Sequence, residues 1–197
     1  MHLTGEAVRQ QLLQLQREGW IESKVSRSGD RGRTGRPAAT YSLTDAGDHL
    51  FPKQYDVLTV AMMDAVSDEL GPEVLKRVLA KIASEKANLV ETALANLPLP
   101  ARVQALKEWY LQDDPHMMVE QVDADYRLVE RNCPFINTAM NRPSLCSVSV
   151  NALMKVLGVR VAREEKFQEG HGRCVFRIYT NEPIDTTNFD FHLESES

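Results

Sequence analysis

The sequence predicts an α+β protein, helical with a basic hairpin at the front, two long helices in the middle, and an α+β module behind. Three observations carry this. Apolar residues recur at three- and four-residue steps in several segments, alternating stretches are bounded by Gly and Pro, and all three cysteines fall in the last third.

In the first segment, Leu3 to Glu18, Val8, Leu12 and Leu15 share one helical face, Thr4 is an N-cap candidate, and Gly19 is the stop. Glu6, Arg9, Gln10, Gln14 and Arg17 lie on the opposite face. Two alternating stretches follow, Trp20 to Ser26 and Ala39 to Leu43, around a Gly- and Arg-rich tip at Arg27 to Pro37. A helix followed by a hairpin with a basic tip has the geometry of a winged helix, in which the helix enters the major groove and the wing lies along phosphates. Residues 1–40 carry seven basic against four acidic side chains, although the whole chain has a net charge of −5. Local positive potential is what phosphate binding requires, so an acidic body does not exclude DNA. A solvated hairpin kept soluble by its arginines is the plainer reading of the same residues.

Thr44 caps a short helix, Asp45 to Leu50, and Pro52 opens a helix running to about Leu70. After the Gly71-Pro72 break, Glu73 to Asn96 is a longer helix with Val74, Leu75, Val78, Leu79, Ile82, Leu89, Val90, Ala93 and Leu94 as its apolar positions. Two such helices pack either within their own domain or on a second copy, and a dimer would suit a palindromic operator. Beyond Pro98-Leu-Pro100, the pattern gives a helix over Ala101 to Leu111 and a strand pair, Met117 to Val122 and Tyr126 to Glu130. A helix over Ser144 to Leu157 stopped by Gly158 follows, then a hairpin of Val159 to Phe167 and Cys174 to Thr180. The acidic tail, Asp185 to Ser197, is expected to be loose.

The cysteines are spaced C-x12-C-x27-C at Cys133, Cys146 and Cys174. Their odd number argues against a closed disulfide framework. A helix start beside Cys146 and a glycine turn before Cys174 offer backbone N–H groups that favour thiolate, the metal-binding form. Soft thiolates suit zinc or an iron–sulfur cluster, yet the close cysteine pairs usual in both are absent. Buried, inert cysteines fit the spacing equally well.

The stretch GRPAATYSLTDAGDHLFPKQYDVL (35–58) resembles the segment after the wing in SufR-type repressors, winged-helix regulators of the DeoR type. RLVERNCPF (127–135), followed by PSLC, LGVRVAREEKF and GRCVFRI, resembles the cluster-binding half of the same family, so the likeness spans about Ala7 to Ile178. The resemblance implies a homodimeric, cytoplasmic repressor that holds a 4Fe–4S cluster through Cys133, Cys146 and Cys174. Such a protein binds a palindromic double-stranded operator and represses cluster-assembly genes while the cluster is bound. On this reading residues 1–50 form the winged helix-turn-helix domain, 51–97 the dimerisation helices, 98–182 the cluster-binding domain and 183–197 a flexible tail. DNA contacts fall to Thr4, Glu6, Arg9, Gln10, Arg27, Arg31, Arg33 and Arg36. The sequence departs from the family twice. The family's opening helices would lie ahead of residue 1, and without them Val8, Leu12 and Leu15 would be exposed. The family's histidine ligand is expected near Arg160, leaving His171 as the local candidate for a fourth ligand. A zinc-stabilised regulator and a cluster sensor that does not bind DNA are the alternatives. No His–Ser–Asp arrangement, phosphate loop or H-E-x-x-H helix points to an enzyme or a small-molecule substrate, and no apolar run reaches the roughly 20 residues of a membrane span.

Overall fold

A computed structural model describes residues 4–25, 39–51 and 53–194. It is a mixed α+β structure in two compact units, one ending at Gln54 and the other beginning at Tyr55. The predicted class is therefore correct at the level of its mixed composition. The second unit holds both long helices together with every cysteine-bearing segment.

In the first unit, α1 (Gly5–Arg17) starts where Thr4 Oγ1 accepts a hydrogen bond from Ala7 N at 3.3 Å, and the chain leaves it through Gly19 at φ 81°. None of its residues is buried: Val8 is 41% and Leu15 36% exposed. Strands β1 (Ile21–Val25) and β2 (Ala39–Leu43) pair antiparallel, with Ile21 opposite Leu43. Thr44 fastens the unit, since its hydroxyl donates to Gly19 O at 2.6 Å and accepts from Gly47 N at the start of α2 (Asp45–His49). A Cβ on Gly47 would sit 2.0 Å from the carbonyl oxygen of Trp20, so the packing of α2 against the strand entry requires glycine. The basic tip lies outside the described residues, and so does Pro52.

The second unit opens with α3 (Tyr55–Leu70), three residues later than the proline suggested, and turns at Gly71 (φ 89°) into α4 (Pro72–Leu94) with its proline in the first turn. Helix α5 (Leu99–Tyr110) leads to strands β3 (Met118–Val122) and β4 (Asp125–Glu130), which turn at Asp123 with φ 56°. Next come α6 (Ile136–Asn141), a helix the periodicity did not reveal, a 3-10 turn at Pro143–Leu145, and α7 (Cys146–Leu157). Gly158, left-handed at φ 71°, ends α7. Strands β5 (Val159–Glu165) and β6 (Cys174–Pro183) complete an antiparallel sheet of order β3-β4-β6-β5, so the last strand enters between β4 and β5.

Helix α7 is the centre of this unit. Nine of its twelve residues are buried, against α4 on one side and the sheet on another, as expected of a helix enclosed all round. Helix α4 buries Leu79, Ala83, Ala87, Val90 and Leu94 but leaves Val78, Ile82 and Leu89 exposed. Helix α3 buries only Met63, with Tyr55, Val57, Leu58 and Met62 open. The expectation of a loose tail is corrected for residues up to 194. Phe191 is buried beside Val148, Asn151 exchanges hydrogen bonds with the His192 backbone (2.8 and 3.0 Å), and Glu194 N donates to Ser147 Oγ at 2.8 Å. Phe189, Phe191 and Leu193, scattered among polar residues, show too little apolar pattern to reveal that packing. No helix among the described residues is long and apolar enough to cross a membrane.

Candidate metal centre

Strand β4 ends at Glu130, and the loop that follows it carries Cys133. Asp114 sets that loop: 1% exposed, it accepts from Arg131 N (2.5 Å), Asn132 N (3.0 Å) and His116 N (2.9 Å). Cys146 is the first residue of α7, and Cys174 is the first of β6, directly opposite Glu130 in the β4–β6 register. Three elements far apart in sequence thus deliver three thiols to one narrow cleft of about 20 Å³. Phe135, Leu145 and Phe176 give it apolar walls, while Glu130, Ser149 and Arg163 are its polar groups. All three cysteines are free thiols.

Donors address the sulfurs directly. Gln168 Nε2 reaches Cys146 Sγ and the Ala139 carbonyl, each at 3.2 Å, and Arg163 Nη1 lies 3.9 Å from Cys174 Sγ. Arg163 is itself held by Glu194, Nε to Oε1 at 2.9 Å. Lys86 enters from α4, 3.5 Å from Ser149 Oγ and above the rings of Tyr110 and Phe135 (5.3 and 5.7 Å). Burial pushes the Lys86 ammonium down from its ordinary pKa, while the charges of Glu130, Cys133 and Asp113 act the other way.

The sequence suggested that backbone N–H groups beside Cys146 and Cys174 would favour thiolate, and at Cys174 burial outweighs them. Burial pushes Cys133 up to about 12, with the Glu130 charge adding to it, and the Phe135 N–H opposes too weakly. Burial raises Cys174 as well, against the Phe167 N–H and the Arg163 charge. Desolvation outweighs single donors in an apolar cleft. Burial therefore favours the protonated thiol at both, and a soft metal binding there would have to displace those protons.

Among the described residues, no three His, Cys, Asp or Glu side chains gather closely enough to hold one metal ion. Three thiols with a cation and an amide donor directed at the sulfurs have the donor chemistry of a soft-metal site, zinc or an iron–sulfur cluster.

His171 is not brought to this cleft. It is largely exposed, and its Nδ1 accepts from Lys166 N at 3.1 Å. Thr4, Glu6, Arg9 and Gln10 are exposed on α1, with Gln10 Nε2 donating to Glu6 Oε1 at 2.8 Å, while Arg27, Arg31, Arg33 and Arg36 lie outside the described residues. Sequence reasoning missed Glu130, Arg163, Gln168 and Lys86. Two signals were available: a charge closing the apolar run Leu128-Val129, and Arg163 in step with the inward-facing Val159 and Val161.

No protein-family model matches the chain, and no curated protein matches it in sequence.

Proposed function

We propose that this chain is a homodimeric transcriptional regulator that senses iron–sulfur status, binding its operator while Cys133, Cys146 and Cys174 hold a 4Fe–4S cluster. The observation that carries this reading is the convergence of three thiols from three separate elements on one cleft. When bound, the cluster would supply a covalent tie among those elements, since metal binding to dispersed ligands couples to local folding.

The protein's own residues offer a route from the site to the helices. Arg142, four residues before Cys146, forms a two-pronged ion pair with Asp64 in the middle of α3. A shift in the Arg142–Leu145 turn therefore pulls on α3, whose open apolar residues Val57, Leu58 and Met62 suit a second copy of the chain. The helix and hairpin of the first unit suit a winged-helix reader, with α1 presenting Thr4, Glu6, Arg9 and Gln10 to the major groove and the arginine-rich tip to phosphates.

A second reading, a cluster sensor that does not bind DNA, is favoured by the exposed apolar face of α1, which a DNA-reading helix ordinarily buries against supporting helices. Anaerobic reconstitution with ferrous iron and sulfide tests the site: the parent is expected to turn brown and Cys146→Ser to lose most of the visible band. A Cys146→Ser protein retaining the full cluster would remove the assignment. Salt-dependent gel shifts with cluster-loaded and cluster-free protein separate the two readings, because a DNA binder loses affinity steeply as salt rises.

A further inference from the structure

Three thiolates leave one iron of a cubane without a protein ligand, and the cleft offers few candidates to fill it. Arg163 is a permanent cation and cannot bind iron. The Ser149 hydroxyl is neutral and already faces Lys86. His171 points elsewhere and is engaged with the Lys166 backbone. Glu130 remains. Its side chain lines the same cleft as all three sulfurs, and the residue is only 8% exposed.

The register explains why it is there. Glu130 stands directly opposite Cys174 across the β4–β6 ladder, so both side chains emerge on the same face of the sheet as Leu128 and Phe176. Cys133, three residues further along the same chain, lines the cleft with it. One carboxylate therefore shares the cleft with all three sulfurs. A buried carboxylate is normally paired or bound to a metal. Among the described residues no Lys, Arg or His reaches salt-bridge distance of Glu130, although Lys86 and Arg163 contribute charge from further off.

We propose that Glu130 is the fourth ligand, binding through a carboxylate oxygen the one iron that the three cysteines do not hold. This rests on the cluster reading given above. An oxygen ligand is harder than thiolate and suits iron less well than sulfur does, which makes that corner the weakest point of attachment. The consequence is regulatory: the Glu130 corner is where the group is first lost, so the sensing threshold is set by one carboxylate rather than by the thiols.

The test uses the full chain reconstituted anaerobically with ⁵⁷Fe and sulfide, read by Mössbauer spectroscopy and by the rate of iron loss to a chelator. The parent should show one iron distinct from the other three. Glu130→Cys should load equally well and make the four irons alike. Glu130→Gln should lose its fourth iron, as ferrous iron, about tenfold faster or more, leaving a three-iron form that one-electron oxidation with added ferricyanide makes visible by EPR. A loaded parent whose irons are all equivalent contradicts the proposal while leaving the cluster reading intact. Unchanged spectra and rates in Glu130→Gln do the same. Failure of the parent to take up iron and sulfide overturns both. Should Glu130→Gln not fold by circular dichroism, Glu130→Asp decides: a carboxylate ligand drawn back by one methylene should release the fourth iron faster, whereas an unchanged rate would show that the carboxylate does not bind it.

Discussion

Helices α1 and α7 are similar in length, and their environments are opposite. Helix α1 has an amphipathic pattern and a well-formed cap, yet buries none of its residues, whereas α7 is wrapped on nearly all sides and carries a cysteine at its first position. The difference separates two kinds of sequence signal. Caps and periodicity fix where a helix begins and which face is apolar, but burial depends on what the rest of the chain brings to that face. In α7 the partners come from α4, the sheet and residues 191–194, so Cys146 sits on the most constrained helix of its unit. In α1 the apolar face is open, and its stability rests on local interactions.

The largest effect should come from breaking α7. Leu153 is 2% exposed in the main core, so Leu153→Ala is expected to cost about 3 kcal/mol in urea denaturation monitored by far-UV circular dichroism. A loss under about 1 kcal/mol would mean that α7 is not the centre of the unit. Second in size is Asp114→Ala, which removes the acceptor for three backbone donors and should cost about 2 kcal/mol while freeing the Cys133 loop.

The pH dependence of Asp114 follows from its surroundings. Burial acts to raise its pKa, but the N–H groups of Arg131, His116 and Asn132 outweigh it and hold the carboxyl below its ordinary value. Its contribution is therefore present above the unfolded value of about 3.9 and is lost as pH falls through the lower folded value. Parent and Asp114→Ala stabilities should converge under strongly acidic conditions, and a gap that stays constant with pH would contradict this.

In the first unit the expected effects are smaller. Gly47→Ala forces a methyl onto the Trp20 carbonyl and should cost about 1–2 kcal/mol, seen as a lower melting temperature of the Trp20 fluorescence transition. Leu15→Ala on the open face of α1 should change stability by less than about 0.5 kcal/mol. A cost of several kcal/mol at Leu15 in the isolated chain would show that the α1 face is covered, and would erase the contrast between the two helices.

Much of the fold was legible because its boundaries are set by local chemistry. Thr4, Gly19, Thr44, Gly71-Pro72 and Gly158 each mark an end that the structure places within a residue or two. What the sequence left hidden depends on distant partners. Strand β6 enters between β4 and β5, a pairing that two-residue alternation cannot specify, and only that register brings Glu130 opposite Cys174. Helix α6 is six residues of mixed polarity, too short to show a period. The Arg142–Asp64 pair spans 78 positions. The three cysteines could be named from their neighbours, but their shared cleft could not, and the direction of the Cys174 pKa shift came out opposite because burial is a property of the assembled core.

Cys133, Cys146 and Cys174 are proposed to act together on one polynuclear group. Iron, zinc and acid-labile sulfide content of the full chain, after anaerobic reconstitution and gel filtration, tests this. Iron and sulfide are expected in equal amounts, about four of each per chain. One zinc per chain with no sulfide, or no bound metal at all, would contradict it.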